Sequence, residues 1–138
     1  MKHITEMIEN DRINHYSPQV LAYVGDAVFE LYVRLNNAAT PYTNPKLLHS
    51  KTVKLVSAAS QAELLKGIMP ELTKEEEGVV RRGKNAKTNQ SPKGSNYYEY
   101  RLATALEALI GYLYLKGREE RILELLDNGL YQERGSNK

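Results

Sequence analysis

Two carboxylates stand out because of their surroundings. In "VLAYVGDAVFELYVR", residues 20–34, Asp26 is the only charge between Val20 and Phe29 and follows Gly25 directly. In "LATALEALIGYLYL", residues 102–115, the only charge is Glu107, with Gly111 one turn further on. A carboxylate in an apolar setting costs free energy unless it is paired, protonated or bound to a cation. Two that converge repel, so one keeps its proton or a cation joins them. An all-oxygen donor set suits the hard cations Mg²⁺ and Mn²⁺. Against this stands a structural reading, in which each carboxylate caps a helix or pairs with Arg34, Arg81 or Arg101. For a single residue the structural reading is the better one. For two on separate apolar stretches, the residues alone leave both readings open. Glu30 and Glu99 border their stretches and read as solvated or ion-paired.

A second stretch offers a different chemistry. No acidic residue lies between Glu77 and Glu99, and the interval carries Arg81, Arg82, Lys84, Lys87 and Lys93. Asn85, Asn89, Asn96, Tyr97 and Tyr98 are interleaved, and Lys51 and Lys54 add charge upstream. Cations with amide and phenol groups suit the phosphates of a nucleic-acid backbone. The plain alternative is a well-solvated loop. The formal net charge is only +2, so total charge argues for nothing; the local asymmetry favours nucleic acid.

Other chemistries are excluded or unsupported. Cysteine is absent, which removes disulfides, thiolate metal sites and a thiol nucleophile. His3, His15 and His49 show no ligand spacing. "GVVRRGKN", residues 78–85, has the spacing of a phosphate-binding loop but ends in Asn85 where Ser or Thr should hold Mg²⁺. A capped helix rather than a strand precedes it, so no NTPase is expected.

The elements that must position these groups all read as helices. Ser17-Pro18 and Asn44-Pro45 are start signals, a cap followed by proline at the first helical position. The first predicts a helix through residues 20–34 that stops near "NNAATPYT". The second predicts one continuous helix to Gly67. Thr73 and Glu76 form a capping box before a shorter helix. Residues 83–96 read as loop, Tyr97–Lys116 as a long helix and "REERILELLDNGLY" as the last. No period-2 pattern marks a strand, so the fold class is all-α. On a helical wheel Leu21, Val24, Val28, Leu31 and Leu35 form one apolar stripe, and Ala22, Asp26, Phe29 and Val33 a second. Apolar on nearly all sides, this helix is expected to be buried on nearly all sides, with Asp26 largely desolvated. Ala103, Thr104 and Gly111 lie a turn from Glu107, and their small size would let another helix approach closely.

With 138 residues, 41% hydrophobic and 26% charged, the chain suits one domain over 1–138, with a core of about 17–131 and a frayed tail over 132–138. The N-terminal "MKHITEMIENDR" has no apolar signal region, and no apolar run reaches the ~20 residues of a membrane span. A soluble cytoplasmic protein is the expectation.

"YVGDAVFELYV" resembles the ribonuclease III signature, and "LEALIGYLYL" is similar to the second half of that family's site. With "RRGKNAKT" and "YRLATALEALIGYLYL", the closest resemblance is to mini-ribonuclease III, the short form made of the endonuclease domain alone. It spans about residues 17–117. The resemblance implies an all-α homodimer built around the signature helix, hydrolysing double-stranded RNA with Mg²⁺, which Mn²⁺ can replace. It implies that Asp26 and Glu107 are catalytic metal-site positions and that products carry 5′-phosphates. Arg81, Arg82, Lys84, Asn85, Lys87, Lys93, Lys51 and Lys54 would then contact RNA. The short form matures the ends of large-subunit (23S) ribosomal RNA precursor, assisted by a large-subunit ribosomal protein on the substrate. Full-length members have glutamates where this chain has Gln19 and Ala22, and an aspartate where it has Thr104. These departures leave the metal count open and motivate an alternative, a non-catalytic RNA-binding domain of the same fold. A helical interaction module with ion-paired carboxylates is a third reading. The separate double-stranded-RNA-binding domain of full-length members is expected to be absent, which would leave binding to the dimer and its basic segment.

Overall fold

A computed structural model describes residues 3–41, 44–86 and 96–135, with side chains as far as 129. A 3₁₀ turn, Ile4–Met7, leads to α1 (Asn10–Ile13), α2 (Pro18–Ala38), α3 (Pro45–Leu55) and α4 (Ala58–Ile68). A short 3₁₀ segment, Met69–Glu71, precedes α5 (Lys74–Lys84), α6 (Tyr97–Leu115) and α7 (Glu119–Gly135). Among the described residues there is no strand, as the all-α reading expected.

Helix α6 is the centre because its sequence allows nothing else. From Leu102 to Leu115 every side chain is buried except those of Glu107 and Tyr114, which are half-buried. Such a helix needs neighbours on all sides. They are α2, α4 and α5, with α7 packed on α4 and α6. Glycine sets the first of these approaches from both sides. A Cβ on Gly25 would lie 1.7 Å from the Glu107 carbonyl oxygen, and one on Gly111 would lie 2.0 Å from the Leu21 carbonyl oxygen. Helices α2 and α6 therefore cross backbone on backbone. As α2 advances from Leu21 to Gly25, its partner on α6 recedes from Gly111 to Glu107, so the two run antiparallel.

The start signals act as their chemistry demands. The Ser17 side chain accepts from the Val20 N–H at 3.3 Å, and Asn44 accepts from the Lys46 and Leu47 N–H groups. Thr73 and Glu76 exchange both capping-box bonds. Glu76 is only 3% exposed, and Arg121 of α7 clamps it with two hydrogen bonds of 2.9 Å.

Three expectations need correcting. The single helix from residue 45 to 67 is two: the chain breaks at Val56, and Ser57 caps α4 by accepting from the Ser60 N–H at 3.2 Å. A serine cap competes with continued helix because its hydroxyl replaces a backbone acceptor. Helix α2 is not covered on all sides of the protomer. Val20, Tyr23, Leu31 and Leu35 are 42%, 82%, 55% and 62% exposed among the described residues. Asp26 is consequently exposed and not desolvated. Helix α7 runs from Glu119 to Gly135.

Candidate active site

The α2–α6 crossing places the two odd carboxylates together. Asp26 follows Gly25, and the Gly25 Cα rests against the backbone of Glu107 itself. Around the crossing, Ala22, Gly25 and Phe29 face the core while Asp26 looks out beside Glu107. Burial and the neighbouring Asp26 push the Glu107 carboxyl up to about 9. Its neutral form is therefore favoured at neutral pH, with the Asp26 side chain beside it. Gln61 of α4 is the third group here: it is 4% exposed and its amide hydrogen-bonds to Glu107.

No cation of the chain offsets this charge among the described residues. Arg34 pairs with Glu30 at 3.3 Å, one turn along the same helix. Arg101 is spent elsewhere, donating to the Lys84 carbonyl at 2.7 Å and to the Asn85 side chain at 3.3 Å. The structural pairing with Arg34 or Arg101 that the residues left open is therefore not made.

The donor set fits a hard divalent cation: two adjacent carboxyl groups, one pushed toward its neutral form by burial and by the other, and a buried Gln61 oxygen without a hydrogen-bond partner. Among the described residues no group of three His, Cys, Asp or Glu side chains converges. The Thr104 hydroxyl donates back to the Tyr100 carbonyl at 3.0 Å. Ala22 is buried and has no polar side-chain atom. Gln19 is exposed.

The basic residues fall on the neighbouring flanks. Arg81, Arg82 and Lys84 form the last turn of α5, and Asn85 is its C-cap. Gly83 lets this turn press on α6, where an added Cβ would meet the Ala105 Cα at 2.8 Å and the Ala108 Cβ at 3.4 Å. Ala108 adjoins Glu107, so the basic turn lies roughly 100° round α6 from the carboxylates. Arg81, Arg82 and Asn85 are exposed and Lys84 is half-buried. Arg82 borders a cleft with Tyr16, Pro18 and Tyr112. Lys51 and Lys54 belong to α3, whose Thr52 is tied to Asn37 of α2 at 3.2 Å. Lys87 and Lys93 lie outside the described residues. The stretch "GVVRRGKN" is helical to Lys84, so its amides are spent within α5 instead of forming a phosphate cradle. His3, His15 and His49 are exposed and scattered.

Sequence reasoning missed Gln61. Only the Ser57 cap, which shifts α4 relative to α3, hinted that this glutamine has a special environment.

A family model described as "Ribonuclease III domain" matches residues 19–118, an interval that contains both Asp26 and Glu107. The chain is similar to a protein named "Mini-ribonuclease 3" of Thermoanaerobacter sp. (strain X514), 46% identical over 123 residues, covering 89% of this chain and 87% of that one. A protein of the same name from Brevibacillus brevis is 48% identical over 113 residues, covering 82% and 84%. A crystal structure of a Fusobacterium nucleatum protein superposes with a TM-score of 0.76 at 36% identity, over 86% of this chain and 94% of the other.

Proposed function

Since this chain belongs to the ribonuclease III family and is an endoribonuclease, we propose that it cleaves double-stranded or structured RNA at a divalent-cation site held by Asp26 and Glu107. The observation that carries this is the convergence of the two carboxyl groups at the glycine crossing, where burial and Asp26 raise Glu107. When bound there, Mg²⁺ or Mn²⁺ supplies an activated water and charge stabilisation for the scissile phosphate. Asp26 offers its carboxylate from the exposed side of α2, where substrate can reach it. Glu107, placed toward the core, would be the second ligand in its carboxylate form, its proton released to solvent. With two carboxylates, most of the coordination shell is left to water and phosphate oxygens.

Arg81, Arg82, Lys84 and Asn85 contact the RNA backbone from the end of α5, and Lys51 and Lys54 from α3; Lys87 and Lys93 extend the same strip. An A-form duplex is read here through phosphates and 2′-hydroxyls. The chain acts as a homodimer across the uncovered flank of α2. Four large apolar side chains, Val20, Tyr23, Leu31 and Leu35, are exposed there next to Asp26, and a contiguous apolar patch of this kind marks an interface. A twofold axis through it would set two sites against the two strands of one duplex. The natural substrate we propose is the cytoplasmic precursor of large-subunit (23S) ribosomal RNA, carrying a bound ribosomal protein. Similarity to proteins named "Mini-ribonuclease 3" supports that choice. No helix among the described residues is long and apolar enough to cross a membrane.

The test is cleavage of a long duplex RNA with product ends mapped. Wild type should give 5′-phosphate products in Mg²⁺ and none in EDTA. Asp26→Asn should lose at least about a hundredfold in rate, because loss of an outer partner of a metal ligand already costs up to that much. Wild-type cleavage by Asp26→Asn would remove this residue from the mechanism.

A further inference from the structure

Gln61 makes an arrangement that packing does not require. In a continuous helix the Val56 carbonyl would accept from the Ser60 N–H, four residues on. Here the Ser57 hydroxyl takes the Ser60 N–H at 3.2 Å, which frees the Val56 carbonyl, and the Gln61 Nε2 donates to it at 2.9 Å. The same carboxamide reaches Glu107. A primary amide has two N–H donors, enough for both partners. Its Oε1 is buried and has no hydrogen-bond partner.

An unsatisfied buried acceptor costs about 1–3 kcal/mol. A methionine would fill nearly the same volume without that cost. The arrangement makes sense if a ligand supplies the missing donor. At this place the ligand is already implied, since the amide sits beside the carboxylate pair, and a hydrated divalent cation presents O–H groups around its rim. Ala22 cannot fill this role, since its side chain has no polar atom.

We propose that Gln61 is a positioning residue of the cation site, whose N–H groups tie Glu107 to the Val56 carbonyl and whose Oε1 accepts from the water shell of the cation. This rests on the reading of Asp26 and Glu107 as a metal site. The break between α3 and α4 is then part of the site, because it is what frees the Val56 carbonyl to hold the amide.

The test measures Mn²⁺ binding by loss of the free-ion paramagnetic resonance signal, together with the melting temperature of the metal-free protein. Gln61→Met should weaken Mn²⁺ binding about tenfold or more, the usual effect of removing such a partner. Its metal-free melting temperature should change little, since the unsatisfied Oε1 is lost together with the Nε2–Val56 bond. Gln61→Glu, which keeps the acceptor oxygen but loses both N–H donors, should recover part of the affinity and fall short of wild type. A purely structural glutamine predicts the opposite pattern: both variants melt lower, and folded protein binds Mn²⁺ as wild type does. That result overturns the proposal. If Gln61→Met does not fold, Gln61→Asn, whose amide is one carbon short of Glu107, carries the same expectation. If wild type itself binds no Mn²⁺ that depends on Asp26, the metal reading falls and this proposal falls with it; if wild-type binding depends on Asp26 but not on Gln61, only this proposal falls.

Discussion

Gly25→Ala is the sharpest perturbation of this architecture. The new methyl carbon would sit 1.7 Å from the Glu107 carbonyl oxygen, 2.6 Å from its carbon and 2.8 Å from the Gly111 nitrogen. All three are backbone atoms, so no rotamer change relieves the overlap. Ordinary contact begins near 3.5 Å, which asks the helices to part by roughly 1.5–2 Å at the crossing. Overpacking typically costs about 1–3 kcal/mol and more where the neighbour cannot yield. Alanine returns up to about 1 kcal/mol of helix propensity. The expected net loss is therefore about 2 kcal/mol or more, read as a lower urea midpoint with unchanged slope. Asp26 moves with Gly25, so cleavage should fall about a hundredfold in the protein that remains folded, as expected for a misplacement of ~1 Å. Gly67→Ala is the control: nothing lies within 4 Å of its Cβ position, and it should be neutral or stabilising by up to about 1 kcal/mol. If Gly25→Ala matches wild type in both stability and cleavage, the close crossing does not set the site.

Three further predictions follow from the charge distribution. Glu107 has a native value of about 9 against an ordinary 4.5, so the neutral form suits the fold and the charged form does not. Metal-free stability should hold below about pH 4.5 and decline as pH rises toward 9, and Glu107→Gln should abolish that decline in urea melts run in EDTA. Arg121→Met strands Glu76, which is 3% exposed, and should cost about 3 kcal/mol or more by denaturant melt, with much of it recovered in the double variant that also carries Glu76→Gln. Arg121 holds the Glu76 carboxyl below its usual range, so in wild type this contribution is present above the ordinary carboxylate value and is lost as pH falls through the native one. Arg81→Ala should weaken binding to duplex RNA without sequence preference and reduce the slope of log affinity against log salt by about 0.9, measured by titration at several ionic strengths.

Helix starts were legible because their signals are local. Ser17-Pro18, Asn44-Pro45 and the Thr73–Glu76 box satisfy orphan N–H groups from within four residues, so no tertiary partner is needed to read them. The Ser57 cap is equally local but sits in a run of good helix formers, and the pattern masked it. The candidate site was legible for a different reason. A lone charge in an apolar helix is rare enough to mark a position, and it occurs twice. The α2 stripes misled because hydrophobicity reports that a face must be covered without saying by what. Leu31 and Leu35 are apolar like Phe29 and Val33, yet only the latter two meet this chain's own core.

The sequence by itself therefore determined an all-α chain, its helix starts, the family, and Asp26 and Glu107 as an exceptional pair, all of which depend on residue type and short spacing. Only the tertiary structure decided that the pair meets. That depends on Gly25 and Gly111 letting two backbones touch across some eighty residues of chain, a contact no local pattern encodes. It also decided that Asp26 opens to solvent while Glu107 holds a proton, and that Gln61 joins them, since desolvation belongs to the assembled surroundings of a group and not to the group itself.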